Sequence, residues 1–489
     1  MKHYFKLISI LLLLLIGCGS KSGDIVISIL NDKSSFYYID FSTYPKERSN
    51  LPIGVFDSGT GGLTVLKAII NYDENDNTEH KPGSDGILDF QKETFIYLGD
   101  QANMPYGNYS LENNIDLLQE HIIKDAQFLL GNKYYSNSYT STVNTDKQPV
   151  KAIVIACNTA TAYGKESIEQ FIKQTKIDMK VIGVIDAGVR AAFEHIDQNE
   201  NAIIGVMATV GTIASEGYKN TIIKYIEKNN YSGNIEIFSQ GALGIAEAVD
   251  EELNFYDKTL TEPRDNYKGP KLDGEVKIDK ALLDVYNFNF DDHKMLCDHK
   301  LAENSSILQL NDAENYVRYH LVSLMENIRK SKTQKKLKTL ILGCTHYPYL
   351  IEDFNTVFEE LYNYKTEENT YLYRDFMAEK ISLIDPARNI AEELFTYMND
   401  KRLFKNEGDM KNSEFYISVP NPDNKKNQIN SNGQFSYEYK YGRIAGDIQE
   451  YTKIIPLVEK ELSTDVYIRF EEQIPNILDL IKEFSKSKE

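Results

Sequence analysis

Cysteine is scarce in this chain, with four in 489 residues, at positions 18, 157, 297 and 344. So few thiols in a chain of this length exclude a disulfide-stapled scaffold, and their spacing matches no zinc site. Each cysteine therefore needs its own explanation. Positive charge is also in deficit: 54 Lys and Arg face 73 Asp and Glu, for a formal net charge of -19. No Lys/Arg-rich run interleaved with aromatics stands out, so no phosphate-tracking groove and no nucleic-acid partner are expected. The apolar run at 7–16 is too short to span a bilayer comfortably as a helix. What remains, 42% hydrophobic and 26% charged residues, suits a globular chain with material for two substantial lobes and several insertions.

The N-terminus accounts for the first cysteine. Lys2, His3 and Lys6 precede the apolar run, and Gly17-Cys18 closes it, which is the order of a secretory signal. Leu15-Ile16-Gly17-Cys18 resembles the bacterial lipobox, implying cleavage before Cys18 and lipidation of that residue. Residues 1–18 are then a signal peptide and 19–50 a tether or N-terminal extension. The expected location is the cell envelope, with the chain anchored in the membrane by lipid and not crossing it, or the cytoplasm if the signal is not processed.

From Ile53 onward, short apolar runs end in loops of small and polar residues and lead into helix-like stretches, as in α/β architecture. Such runs lie at 53–56, 94–98, 152–156, 181–185, 202–207, 235–238 and 337–342. They do not alternate, so they read as strands buried on both faces of parallel sheets. Two runs share one plan: Lys151-Ala-Ile-Val-Ile-Ala-Cys157 and Lys338-Thr-Leu-Ile-Leu-Gly-Cys344. This repeat predicts two pseudo-symmetric three-layer α/β lobes with mostly parallel sheets and the active site between them. The first lobe is expected from 51–185 plus 351–489, and the second from 186–350. Ligands of open α/β sheets bind beyond the carboxyl ends of strands, so both cysteines face one crevice. Polar stretches at 72–90, 133–149, 254–311, 363–373 and 399–432 read as surface insertions. Asp73, Asn75, Asn77 and Asp85-Gly86 lack calcium-loop spacing, so no metal is expected.

Four motifs now bear on function. Ile53-Gly-Val-Phe-Asp57-Ser58-Gly59-Thr-Gly61-Gly62, Tyr97-Leu-Gly-Asp100 with Pro105-Tyr106-Gly107, Ala156-Cys157-Asn158-Thr159-Ala160, and Leu342-Gly-Cys344-Thr345-His346-Tyr-Pro348 occur in order, each at a strand end. Together they resemble glutamate racemase, of the aspartate/glutamate racemase superfamily, over residues 53 to about 441. Weaker matches lie around Asp186 to Arg190, Thr209 to Thr212, Asp385-Pro386 and Glu414 to Asp423. The last few dozen residues are poorly accounted for.

The resemblance implies cofactor-independent interconversion of L- and D-glutamate, a source of D-amino acid for peptidoglycan and the cell wall. It implies Cys157 and Cys344 as the two bases, with Asp57 beside Cys157, His346 beside Cys344, and Glu247 as an acidic aid to the second cysteine. Ser58, Pro105, Tyr106, Gly107, Asn158, Thr159, Thr209 and Thr345 are the implied substrate contacts. The Glu247 alignment is looser, because the family's preceding Cys-Pro pair stands here as Ser239-Gln240. A homodimer is implied too, unless the insertions block the usual contact surface.

The chemistry is intelligible from the residues themselves. Racemisation removes a weakly acidic α-proton from one face and returns a proton to the other, so two groups must flank the stereocentre. Thiols suit this because an ordinary cysteine titrates near about 8.5, giving a usable base and a usable acid near neutrality. No pyridoxal-lysine signature is evident, so preorganised donors must stabilise the carbanion: N–H groups at the strand-to-helix junctions and the side chains of Ser58, Asn158, Thr159 and Thr345. Asp57 also reads as a helix cap and His346 as a hydrogen-bonded core histidine. Cys297 lies in a polar insertion and carries no catalytic role. Two other functions compete: racemisation of aspartate or another acidic amino acid, and a catalytically inactive lipid-anchored amino-acid-binding protein. His346 after Cys344-Thr345 favours the glutamate branch, and the paired thiols favour turnover. Opposed across a substrate, the Cα atoms of the two cysteines are expected beyond disulfide range, so the thiols stay reduced.

Overall fold

In the computed structural model, residues 22–488 are described apart from 275, 431, 460, 461 and 463. The strands are β1 (Ile53–Asp57), β2 (Phe95–Gly99), β3 (Tyr134–Tyr135), β4 (Val143–Asn144), β5 (Ile153–Ile155), β6 (Val181–Gly183) and β7 (Ala202–Ala208). Then follow β8 (Ile235–Gly241), β9 (Met295–Cys297), β10 (Leu308–Leu310), β11 (Leu337–Gly343), β12 (Met377–Ile384), β13 (Glu414–Pro420) and β14 (Thr452–Pro456). One sheet has the order β14-β13-β2-β1-β5-β6 and the other β12-β11-β7-β8. Every pairing in both is parallel except β13 with β14. The expected two lobes with mostly parallel sheets are therefore present, because β1, β2, β5 and β7 are buried along their whole length and are apolar but for Asp57 at the end of β1.

The repeated strands occupy equivalent places. β5 lies between β1 and β6, and β11 lies between β7 and β12, so each cysteine follows an interior strand. Their lysines differ. Lys151 is fully buried against Glu93 at 2.6 Å, whereas Lys338 pairs with Glu200 at 2.6 Å nearer the surface.

Several expectations need correction. The run at 181–185 is a strand only to Gly183, because Val184 opens the helix Val184–Phe193. The return to the first lobe, expected at 351, comes later. The helix Ile351–Asn363 buries Phe354, Val357, Phe358 and Leu361 in the second-lobe core, and β12 extends the second sheet. The helix Ala387–Lys401 is the first element to rejoin the first-lobe core, through Ile390, Leu394 and Met398.

The stretch 399–432 is not merely a surface insertion, since it contains β13, paired parallel with β2. The stretch 133–149 carries the hairpin β3–β4, and 254–311 carries β9–β10. Within the latter, Ile278, Leu308 and Leu310 are buried in the second-lobe core.

The proposed signal peptide and Cys18 lie outside the described residues. Among the described residues, no helix is long and apolar enough to cross a membrane. The segment expected as tether or extension packs on the first lobe where it is described: Ile25 and Ile29, on the helix Ser22–Leu30, are fully buried. At the other end, the helices Thr464–Gln473 and Pro475–Lys488 place Phe470, Ile477 and Ile481 in the same core.

Candidate active site

The carboxyl ends of β1, β5, β7 and β11 converge on a cavity of about 460 Å³. It is lined by all thirteen residues expected from the sequence: Asp57, Ser58, Pro105, Tyr106, Gly107, Cys157, Asn158, Thr159, Thr209, Glu247, Cys344, Thr345 and His346. Five further lining residues had not been anticipated, namely Met104, Ala246, Asp250, Glu252 and Gly343. A separate cavity of about 650 Å³ in the first lobe, bordered by Asp100, His121, Lys124 and Arg443, contains neither thiol.

On the first wall, Cys157 caps the helix Asn158–Thr175. Its Sγ accepts the Ala160 N–H at 3.4 Å and its thiol donates to Ser58 Oγ at 3.8 Å. Burial pushes this thiol well up, the adjacent Asp57 charge pushes it further, and the Ala160 and Ser58 contacts pull the other way. A negative charge on Cys344 also raises it, which puts the two thiols within electrostatic reach of each other.

Asp57 ends β1. Its Oδ2 accepts the N–H groups of Gly62 at 2.8 Å and Gly59 at 3.4 Å, bracing the turn that leads to the helix Leu63–Ile70, whose N-cap is Gly62. Its Oδ1 is buried and has no protein partner, leaving one carboxylate oxygen for a ligand ammonium. Burial raises its carboxyl, and the His346 charge opposes that rise.

On the second wall, Cys344 Sγ stands 3.3 Å from His346 Nδ1, and His346 Nε2 stands 2.9 Å from Asp250 Oδ2. Burial alone would drive this imidazole neutral. Asp250 and Cys344 outweigh it and raise the group well above the ordinary histidine range. The thiol thus faces a histidine held ready to carry a proton.

Glu247 lines the cavity, but its Oε2 accepts the N–H of Gly244 at 2.9 Å at the start of the helix Ile245–Val249. The carboxylate that contacts His346 is Asp250, three residues further on. That i, i+3 spacing on one helical face was the available signal for it. Glu252 follows, its carboxyl raised to about 7 by burial and by the neighbouring Glu247 charge.

Hydroxyls complete the cleft. Thr159 Oγ1 lies 3.2 Å from Thr209 Oγ1 and 3.0 Å from Thr212 Oγ1. Tyr218 Oη donates to Asn158 Oδ1 at 2.5 Å, tying the start of the Cys157 helix to the helix Gly217–Lys228. Tyr106 Oη lies 2.5 Å from Asp100 Oδ2 and 2.7 Å from Asp125 Oδ2. One phenolic proton cannot serve both carboxylates. Burial and the Asp100 charge push the Asp125 carboxyl well above the usual carboxylate range. The Tyr106 hydroxyl is thus engaged within the first lobe.

Cys297, in β9, lies outside this cavity. It, Cys157 and Cys344 are all free of disulfides.

No family model matches the chain. It is 36% identical to the glutamate racemase of Lactobacillus johnsonii over 173 residues, 35% of this chain and 48% of that protein. In that alignment the chain spans about half the length of its relative. It is 29% identical to the glutamate racemase of Levilactobacillus brevis over 301 residues, 62% of this chain and 68% of the relative. With that of Thermoanaerobacter pseudethanolicus it shares 27% over 367 residues, 75% and 88% of the two chains. A solved glutamate racemase isoform from Bacillus anthracis is 22% identical, with a TM-score of 0.43 over 75% of this chain and 88% of that one.

Over these stretches the chain is similar in sequence to glutamate racemases, and its two α/β lobes enclose the cleft that holds both thiols.

Proposed function

We propose that this chain interconverts L- and D-glutamate without a cofactor, using two thiols on opposite walls of the cleft. One observation carries the reading: Cys157 and Cys344 line the same cavity, and each has its own acid–base companions. In one direction a thiolate removes the α-proton and the opposite thiol delivers its proton to the other face of the carbanion. The reverse direction exchanges their roles. Asp57 Oδ1 receives the substrate ammonium. The first-turn N–H groups at Asn158 and Thr159, with the hydroxyls of Ser58, Thr209 and Thr345, hold carboxylate oxygens and stabilise the charge spreading onto the α-carboxylate.

The relatives' names support glutamate as substrate. The Cys344–His346 contact at 3.3 Å supports turnover over mere capture. Incubating the chain lacking residues 1–18 with L-glutamate in deuterated water should yield D-glutamate carrying deuterium at the α-carbon. Binding without exchange would favour the inactive binding protein, and exchange confined to aspartate would favour the aspartate reading. Cys157→Ser and Cys344→Ser should each abolish racemisation, while Cys297→Ser should not.

The same proposal includes a lipid anchor at Cys18 and a place at the cell envelope, supported by the signal-like order of residues 2–18. Only three residues separate Cys18 from the helix Ser22–Leu30, so such an anchor would hold the first lobe within about 15 Å of the bilayer surface. Membrane fractions of a Cys18→Ala variant should lose the lipid-modified form. Unchanged attachment would remove the anchor from the account.

A further inference from the structure

The C-terminal helix Thr464–Gln473 is built into the first lobe. Phe470 is fully buried in that core, and the Gln473 carbonyl accepts Lys67 Nζ at 2.8 Å. From this helix Arg469 crosses to the second lobe. Its Nη1 donates to the Val249 carbonyl, its Nη2 stands 3.8 Å from Asp250 Oδ1, and its guanidinium lies 5.6 Å from the Tyr349 ring centroid. Asp250 uses its other oxygen, Oδ2, on His346 Nε2 at 2.9 Å. A continuous chain of contacts therefore runs Arg469–Asp250–His346–Cys344, with its first member on one lobe and the rest on the other. Both side chains of the cross-lobe pair are mostly withdrawn from solvent, Arg469 at 17% and Asp250 at 12% exposure, so the contact is only partly screened.

We infer that Arg469 is a positioning residue for the second thiol: it fixes Val249 and Asp250 from the opposite lobe, so that the His346–Cys344 pair is assembled only when the cleft is closed. A guanidinium suits this because its planar fork holds a carbonyl and a carboxylate at once, which the single-point ammonium of lysine does not. The residue contacts neither thiol and acts through Val249 and Asp250. The inference rests on the two-thiol reading and gives the C-terminal helices a function in it.

Two measurements on Arg469→Met and Arg469→Lys test it. The first needs no turnover: iodoacetamide labelling of Cys344 relative to Cys157, followed by mass spectrometry at pH 7. Arg469→Met should slow Cys344 labelling roughly tenfold while Cys157 is unchanged, with Arg469→Lys in between. The second uses 2-deuterated glutamate enantiomers. For the enantiomer that Cys344 deprotonates, the primary isotope effect on kcat/KM should rise above wild type. For the other, where Cys344 only returns a proton, it should fall.

Equal labelling of Cys344 in wild type and both variants would overturn the inference. So would labelling of both thiols, or isotope effects for both enantiomers, shifting together, as general loosening would cause. Should Arg469→Met fail to fold by circular dichroism, Arg469→Lys, which keeps the charge, carries the same comparison. If wild type proves inert towards glutamate while the labelling ratio still responds, the substrate reading fails and the positioning role stands.

Discussion

Gly61 and Thr345 approach so closely that a Cβ on the glycine would lie 2.6 Å from the threonine Oγ1, and 3.0 Å from His346 Cε1. The glycine belongs to the loop after β1 and the threonine to the loop after β11, so this is where the two lobes meet beside the thiols. Any side chain at 61 must displace Thr345 or His346. Gly61→Ala should therefore cost about 1–3 kcal/mol of stability, read by denaturant unfolding, and lower kcat/KM roughly tenfold or more. Unaltered kcat/KM would mean that closure at this point does not matter to turnover.

Asp57 and Cys157 give a prediction with opposite signs in two assays. The carboxylate raises the thiol, so Asp57→Asn should make Cys157 ionise more readily and react about tenfold faster with iodoacetamide at pH 8. Racemisation should nonetheless fall about 10²-fold, because the oxygen left for the substrate ammonium is lost. Slower labelling in the variant would contradict the assigned electrostatics.

Asp250 holds the His346 imidazolium above the ordinary histidine range. An amide cannot favour the cation in this way, so Asp250→Asn should move the His346 titration downwards, followed by NMR of its Cε1 proton. Loss of this proton carrier should lower kcat/KM about 10²-fold. A titration that stays in place would assign the raised value to Cys344 alone.

Glu252 makes stability depend on pH. Its folded-state carboxyl titrates near about 7, above its ordinary value of 4.5, so between those values the folded chain binds more protons than the unfolded one. Its contribution to stability is fullest below about pH 4.5 and declines as pH rises to about 7, beyond which the penalty is constant. Glu252→Gln should thus stabilise the chain at pH 8 by up to about 3 kcal/mol, with the advantage shrinking towards pH 5. An advantage independent of pH would show that the carboxyl is not strained by burial and Glu247.

The parts of this architecture visible in the sequence were those written locally. β1, β2, β5, β7 and β11 announce themselves as unbroken apolar runs, and the motif residues at their ends reach one cavity because parallel strands deliver their carboxyl ends to the same edge. β13 was harder to read: Glu414–Pro420 sits in a polar surround, and only pairing with β2, more than 300 residues earlier, makes it a core strand. The true lobe boundary was hidden for a similar reason, since Met377–Ile384 carries Glu379 and Lys380 and looks like an edge, which it is. Asp250 and Arg469 carry no motif. Their roles arise from the fold, which brings residues 219 positions apart into contact across the cleft.

The central claim is that two sulfurs flank one substrate carbon. A crystal structure of the chain lacking residues 1–18 bound to D-glutamate tests it most directly. The account predicts the α-carbon between Cys157 Sγ and Cys344 Sγ, each about 3–4 Å away and on opposite faces. A substrate lying against one thiol only, with the other sulfur turned away or shielded by protein, would contradict it.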